Sequence, residues 1–248
     1  IGLLLKFVPK YSTASFGIPF ISLIYTSFGS VLLPKLSEEA KLNNIEMMKF
    51  YWHKLISLYA ILTIPFILFF YAIADSFVRF LFTDSYAEAV LIYQIFLLII
   101  LFQSLSYGTV LKAFKKTNII LMSNLISLVV ALPLSYFSII NYGIIGGSIA
   151  AVTTYAINAI FQIIYTGKLL KMNWYNFLPF NFIFRIILLT LPSFALSMLT
   201  SFIDTTYFWL IVINGILFFG SLYLVFTFGK VIKINIKNKK IYFPLLKM

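Results

Sequence analysis

Residues 31–40, VLLPKLSEEA, mark the point where a long apolar run gives way to charged side chains. Pro34 should end the preceding helix, because proline lacks an amide donor and clashes with the preceding helical turn. Ser37 is then expected to cap a new helix whose first turn is acidic. Apolar residues follow at steps of three and four positions: Leu42, Ile45, Met48, Trp52 and Leu55. The pattern predicts a short amphipathic helix over 34–54 along the membrane surface, with an ordinary polar loop as the alternative.

The composition of the whole chain is that of an integral membrane protein. Its residues are 62% hydrophobic and 10% charged, whereas soluble proteins average about 25% charged residues. The apolar runs are continuous, which indicates helices rather than the alternating strands of a membrane barrel. The absence of cysteine excludes disulfides and thiolate metal sites. The predicted fold class is therefore all-α, a polytopic transmembrane helix bundle.

Seven stretches have roughly the 20 apolar residues that a membrane-crossing helix requires. The predicted spans are 11–33, 55–74, 87–111, 119–140, 144–166, 180–203 and 207–228. The chain begins at Ile1 without the features of a signal peptide, so we interpret its start as a cut through a longer protein.

The basic residues alternate between the two sides of these spans. Of the 19 Lys and Arg residues, 15 follow spans one, three and five or lie in the C-terminal tail. They are Lys35, Lys41, Lys49, Lys54, Lys112, Lys115, Lys116, Lys168, Lys171, Lys230, Lys233, Lys237, Lys239, Lys240 and Lys247. The positive-inside rule places these loops and the C-terminus in the cytoplasm. Topology therefore explains the net charge of +12, and no nucleic-acid partner is expected.

Small residues in NYGIIGGSIAA (141–151) predict close helix packing. Gly143, Gly147 and Ala151 recur at four-residue steps, and Gly146 begins a second such series. Small side chains on one face let helices approach closely in a membrane.

Polar residues inside the spans could line a cavity or join helices by hydrogen bonds. Asn158 and Gln162 share a helix face because they are four residues apart. Arg185 is the one full charge inside a predicted span, which makes it a functional candidate by default. Because it lies near the start of its span, it could instead extend to the cytoplasmic membrane surface.

The sequence gives little support for an enzyme. His53 is the only histidine, and four acidic residues lie scattered at span ends: Asp75, Asp84, Glu88 and Asp204. Membrane transferases need a convergent His or acid cluster, and no glycine-rich phosphate loop is present. We expect no enzymatic activity, metal or cofactor, with a membrane-embedded transferase as the remote alternative.

Four stretches, in order, resemble a known family. They are YSTASFGI (11–18), VLLPKLSE (31–38), IADSFVRFLFTDSYAEAV (73–90) and residues 110–151, which contain the glycine-rich segment. Together they resemble the C-terminal half of the polysaccharide and O-antigen flippases. That family is the oligosaccharidyl-lipid branch of the multidrug/oligosaccharidyl-lipid/polysaccharide exporter superfamily. Thr83 departs from the pattern, since the family usually has glycine there.

The resemblance implies a fourteen-helix exporter with two lobes that rock about a central cavity, of which this chain holds the last seven spans. Residues 1–10 would end the preceding helix and form an external loop, and 11–166 would give five helices of the C-terminal lobe. Residues 167–229 would add two helices, and 230–248 would form a basic cytoplasmic tail.

The implied activity is the flipping of a polyprenyl-pyrophosphate-linked oligosaccharide across the cell inner (cytoplasmic) membrane by alternating access, in polysaccharide biosynthesis. A lipid II flippase for peptidoglycan and a cation-coupled multidrug exporter of the same superfamily are the alternatives. The expected partners are the lipid-linked glycan and membrane lipid, with a polysaccharide polymerase and glycosyltransferases nearby. The protein is expected to function as a monomer.

Such a cargo needs positive charge for its phosphates and hydroxyl or amide groups for its sugars. The candidates to line the cavity are Arg185, Ser15, Ser22, Thr26, Gln103, Asn124, Asn158 and Gln162. Lys35 and Lys112 are the candidates to meet the phosphates at the cytoplasmic surface, although Lys35 could simply hold its helix at that surface.

Overall fold

A computed structural model describes residues 19–105, 107–200, 206–228, 233–235 and 240–242. Its helices are α1 (Pro19–Lys41), α2 (Ile45–Ala72), α3 (Ala74–Phe82), α4 (Ala89–Gln103), α5 (Tyr107–Ala113), α6 (Thr117–Leu169), α7 (Trp174–Phe177), α8 (Phe180–Leu199) and α9 (Tyr207–Phe228). A 3-10 turn, Asp84–Tyr86, joins α3 to α4. In the tail, β1 (Lys233–Asn235) and β2 (Lys240–Tyr242) pair antiparallel, with Ile234 opposite Ile241. The predictions for residues 1–10, and for most of the tail, lie outside the described residues.

The predicted transmembrane helix bundle is confirmed. Within the described residues, five helices are long and apolar enough to cross a membrane: Ile45–Ala72, Ala89–Ala113, Thr117–Leu169, Phe180–Leu199 and Tyr207–Thr227. The third of these has 53 residues, far more than one crossing needs. The chain is therefore a multi-pass membrane protein.

Helix α6 is a hairpin of two arms. Gly143 interrupts it with φ 59° and ψ −137°, a conformation open to glycine but not to other residues. Hydrogen bonds join Asn124 to Asn158 and Ser123 to Gln162. In each pair, one residue precedes Gly143 and the other follows it by a similar number of positions. Residues 117–142 and 144–169 therefore run antiparallel, which matches the separate fourth and fifth spans that the sequence predicts.

Helix α2 is at the centre of the bundle and packs against α1, α4 and α8. On one side, α9 packs against α8 and α3, and on the other, α6 packs against α4 and α5. The largest apolar cluster joins α2, α8 and α9, with Phe69, Ile186 and Phe218 at its centre. Much of α6 exposes leucine and valine, as expected for helices that meet lipid.

The boundary predicted at Pro34 is wrong. Helix α1 continues through Pro34 to Lys41, and Ser37 donates its hydroxyl to the Leu33 carbonyl at 2.8 Å instead of capping a new helix. A proline inside a helix costs about 3 kcal/mol. Burial of Leu32 and Leu36 on either side offsets that cost, since a buried leucine contributes about 1.5–3 kcal/mol.

The separate amphipathic helix over 34–54 is consequently replaced by two longer helices that meet at a short turn. Asn44 begins α2, and its side chain accepts a hydrogen bond from the Met47 amide at 3.3 Å. The predicted apolar stripe does pack inward, because Met48, Trp52 and Leu55 are fully buried, whereas Leu42 is exposed.

The turn after α3 holds a threonine in a conformation that glycine prefers. Thr83 has φ 72° and ψ 169°, a region that is essentially glycine-only. Its amide donates to the Arg79 carbonyl at 2.8 Å, and its carbonyl accepts from Tyr86 at 3.2 Å. These bonds hold the strained residue in place at the position where the resembled family usually has glycine.

We expect Thr83→Gly to raise the free energy of unfolding by about 1–2 kcal/mol, because it removes this strain. Thr83→Ala is the matched control, since alanine keeps the Cβ atom that causes the strain. The two variants should be compared by denaturant unfolding of the full-length protein in detergent. Equal stabilities of the two variants would contradict the assigned strain.

A polar cluster ties this turn to α9. Arg79 contacts Asp75 at 2.8 Å and Asp84 at 3.1 Å, and the Tyr207 hydroxyl donates to Asp84 at 2.7 Å. The Tyr207 hydroxyl, and then the Arg79 guanidinium, hold the pKa of the Asp84 carboxyl below its usual range. The contacts therefore stabilise the fold above pH 4 or so, and this contribution is lost as the pH falls through the lowered pKa.

Asp84→Asn should lower the melting temperature at pH 7, and the difference from the unsubstituted protein should shrink as the pH approaches 3. Thermal unfolding of the full-length protein across this pH range measures the effect. Glu38→Gln, at the other end of the bundle, is the control for the removal of one carboxylate. A difference for Asp84→Asn that stays constant with pH would rule out this role.

Candidate functional site

The loops that carry most of the lysines meet at one end of the bundle, called here the lysine-rich end. A buried apolar cluster joins residues from α1, α2, α5, α7 and the C-terminal end of α6: Leu36, Met48, Trp52, Ile56, Val110, Ala113, Leu170 and Phe177. Lys35 and Lys112 are exposed beside this cluster. The structure thus gathers at one end the three described loops that the charge alternation assigns to one side.

A chain of polar side chains joins the two arms of α6. The side-chain amide of Gln162 donates to the Ser123 hydroxyl at 2.8 Å and to the side-chain oxygen Oδ1 of Asn158 at 2.7 Å. Asn158 in turn donates to Asn124 at 2.6 Å. The chain runs from Gln162, which is buried, to Asn124, which is exposed. Three of the predicted cavity residues are therefore brought together, and their contacts join helices.

The buried end of this polar chain faces α5. The Oε1 atom of Gln162 is buried and accepts no hydrogen bond from the described residues. A methyl group added at Gly108 would lie 3.6 Å from it, so the two helices are in close contact there. A buried acceptor without a donor is costly, which makes this the least satisfied point of the network.

The remaining predicted cavity residues do not join this network. Thr26, Gln103 and Arg185 are exposed on three different helices. Ser15 and the side chain of Ser22 lie outside the described residues. A role for these residues in a cavity stays a prediction.

Of the glycines predicted to pack, Gly146 lies at a close helix approach. A Cβ atom at Gly146 would lie 1.9 Å from the Ser138 carbonyl oxygen in the other arm of α6. Gly147 is also buried, Ala151 is half-buried, and Gly143 forms the turn itself. The packing is within one chain, between the arms of a single hairpin.

Sequence reasoning missed the tyrosine that joins three helices near the centre of the bundle. The Tyr25 hydroxyl of α1 donates to the Ile100 carbonyl at 3.1 Å, and it lies 2.9 Å from the Thr63 hydroxyl of α2. Tyr59 donates to the Tyr25 carbonyl at 2.9 Å. Tyr25 and Tyr59 stand within apolar runs of the sequence, and no spacing pattern predicts their contacts.

A second feature that the sequence did not predict is a cavity of about 500 Å³ at the lysine-rich end, called here the basic pocket. Its lining residues are Lys49, His53, Lys171, Met172, Asn173, Asn176, Leu178, Pro179, Phe180, Asn181 and Phe182. The lining comes from α2, from the segment between α6 and α8, and from the start of α8. The last two parts lie more than 100 residues after the two lining residues of α2 in the chain. Among the described residues, no three His, Asp or Glu side chains converge as a metal site would require.

Comparisons with known proteins show what the chain is similar to. Residues 11–91 match the family described as "Polysaccharide biosynthesis protein". This match contains three of the four stretches that carry the resemblance in the sequence. No curated protein sequence matches the chain.

A solved structure shares the fold. The chain is similar to "Lipid II flippase MurJ, inward closed conformation" with a TM-score of 0.67 and 17% sequence identity. The similarity covers 90% of this chain and 45% of that one, so the chain spans less than half of the solved flippase. The two findings support the predicted resemblance to a family of flippases for polysaccharide precursors and other lipid-linked cargo.

Proposed function

We propose that the full-length protein flips a polyprenyl-pyrophosphate-linked oligosaccharide across the cytoplasmic membrane by alternating access. The observation that carries the proposal is the match of residues 11–91 to a polysaccharide biosynthesis family. The fold shared with a lipid II flippase supports it, because both cargoes would be glycans attached to a lipid by phosphate. The proposed role is transport and not catalysis.

In this proposal the lysine-rich end faces the cytoplasm, together with the C-terminus. Lys35 and Lys112, exposed there, attract the cargo's phosphates before they enter the membrane. Asn124 and Asn158 offer amide groups to the sugars at the exposed edge of the α6 network. Residues 11–166 form part of the transport lobe, and residues 167–229 are the two additional helices.

Substitution of Arg185 tests the proposed binding of the cargo's phosphates. Its exposed guanidinium lies in the second turn of α8, near the lysine-rich end. A charged hydrogen bond to a phosphate contributes about 1.5–3 kcal/mol, so Arg185→Ala should lower glycan export about tenfold. Arg185→Lys should restore part of it. Asn141→Ala, beside the turn between the two arms of α6, is the control. If Arg185→Ala exports as much glycan as this control, Arg185 is not part of the site.

Deletion of the gene tests the proposed cargo. Surface polysaccharide should disappear while its lipid-linked precursor accumulates inside the cell, and peptidoglycan synthesis should continue. A lipid II flippase is the second candidate, favoured by the shared fold; it predicts accumulation of lipid II and loss of cell-wall synthesis instead. Unchanged levels of both precursors would contradict both candidates. The polysaccharide candidate also predicts genes for glycosyltransferases and a polymerase nearby.

A further inference from the structure

The basic pocket is separate from the predicted cavity residues described above. Three of its lining residues lie in the segment 173–178, which two side chains of α2 hold in place. The Trp52 indole donates to the Phe177 carbonyl at 3.0 Å, and His53 Nε2 lies 2.8 Å from the Asn176 carbonyl oxygen. The backbone amide of Asn176 also donates to the Asn173 carbonyl at 3.0 Å. These hydrogen bonds hold the segment against α2.

The charged and amide-bearing part of the lining is called here the polar wall. It comprises Lys49, Lys171 and three asparagines: Asn173, Asn176 and Asn181. Glu46 pairs with Lys49 at 2.7 Å, but its carboxylate is 83% exposed and points away into solvent. Solvent weakens such an exposed pair, so the wall keeps its attraction for an anion.

The apolar part of the lining, called here the apolar wall, comprises Leu178, Pro179, Phe180 and Phe182. Phe180 and Phe182 begin α8, one of the helices long enough to cross a membrane. The pocket thus opens where a crossing helix leaves the apolar layer, the level at which the phosphate groups of membrane lipids lie. A phosphate on the polar wall would place the attached hydrocarbon chain against the apolar one.

We propose that the basic pocket binds the phosphate group of a lipid. The shared chemistry is a phosphate ester or pyrophosphate with an apolar chain attached, which describes both an anionic phospholipid and a polyprenyl carrier. Lys49 and Lys171 supply the charge, and the asparagine amides donate to the phosphate oxygens. The inference does not depend on which cargo the protein transports, since lipid binding at this surface is measured without transport.

Native mass spectrometry of the full-length protein in detergent tests the proposal. The probes are phosphatidylglycerol, polyprenyl phosphate and, as a zwitterionic reference, phosphatidylcholine. The double variant Lys49→Gln/Lys171→Gln should raise the dissociation constant of at least one of the first two lipids about tenfold. Lys41→Gln/Lys116→Gln removes the same charge from the same end without touching the pocket, and it should bind nearly as the unsubstituted protein does. Asn181→Ala keeps every charge and should weaken binding about threefold.

The lipid whose binding is lost identifies the source of the phosphate. Selective loss of polyprenyl phosphate indicates a carrier lipid, and selective loss of phosphatidylglycerol indicates a membrane phospholipid. Equal losses in the two double variants would show attraction by net charge alone and overturn the proposal. Displacement of the lipid by an equal concentration of inorganic phosphate would also overturn it, because the apolar wall would then contribute nothing. If the lysine double variant does not fold, unchanged binding by Asn181→Ala decides against the pocket.

Discussion

Trp52→Ala should lower the free energy of unfolding by about 3–5 kcal/mol, the usual cost of truncating a fully buried tryptophan. Trp52 has no exposed surface, its ring centroid lies 5.0 Å from that of Phe177, and its indole donates to the Phe177 carbonyl. The side chain therefore holds the segment between α6 and α8 against α2. Denaturant unfolding in detergent measures the change.

Two further variants separate packing from hydrogen bonding at this site. Trp52→Phe keeps most of the apolar contact but leaves the Phe177 carbonyl without its donor, which should cost about 1–3 kcal/mol. Trp209→Ala, at the start of α9, truncates a tryptophan that is 55% exposed and should change stability far less. Similar losses for Trp52→Ala and Trp209→Ala would contradict the assigned role of Trp52.

Gly146→Ala should destabilise the protein by about 1–3 kcal/mol through a backbone clash. The new Cβ atom would lie 1.9 Å from the Ser138 carbonyl oxygen and 2.5 Å from its carbon. Neither atom belongs to a flexible side chain, so the two arms of α6 must separate. The hairpin should lose stability even though alanine favours helix by about 1 kcal/mol over glycine.

Gly220→Ala is the matched control for this prediction. Gly220 also lies in a crossing helix, and a Cβ atom there would meet nothing within 4 Å. This variant should be neutral or more stable, so the two substitutions should act in opposite directions. Thermal unfolding of both variants in detergent gives the comparison. A neutral Gly146→Ala would mean that the arms of α6 are not in close contact at the turn.

The membrane class, the spans from the second onward and the two arms of α6 could be predicted because each depends on residues close together in the sequence. Continuous apolar runs predict the crossing helices, and the glycines at 143, 146 and 147 predict a close helix approach. The lysine alternation groups the loops correctly, since the structure brings the three described lysine-bearing loops to one end. All of these signals are local in the chain.

The wrong predictions and the missed features depend on contacts between residues that are far apart in the sequence. Pro34 fails to end α1 because Leu36 packs against Val110 and Leu170, contacts that no local rule includes. The spacing of Asn158 and Gln162 predicts a shared helix face, but their partner Ser123 is found only once the hairpin closes. The basic pocket needs α2 to meet residues more than 100 positions away. Thr83 is the exception, since the departure from glycine was visible in the sequence and only its strained conformation was not.

The central claim is that the full-length protein moves a lipid-linked glycan across a membrane. The direct measurement reconstitutes the purified protein in vesicles that contain a polyprenyl-pyrophosphate oligosaccharide with a fluorescent sugar. A membrane-impermeant quencher that destroys the fluorophore irreversibly then reports the fraction of label that reaches the outer leaflet. We predict that the fraction accessible to the quencher rises from about half to nearly all the label, and that protein-free vesicles stay at about half. Accessibility that is the same with and without the protein would contradict the account.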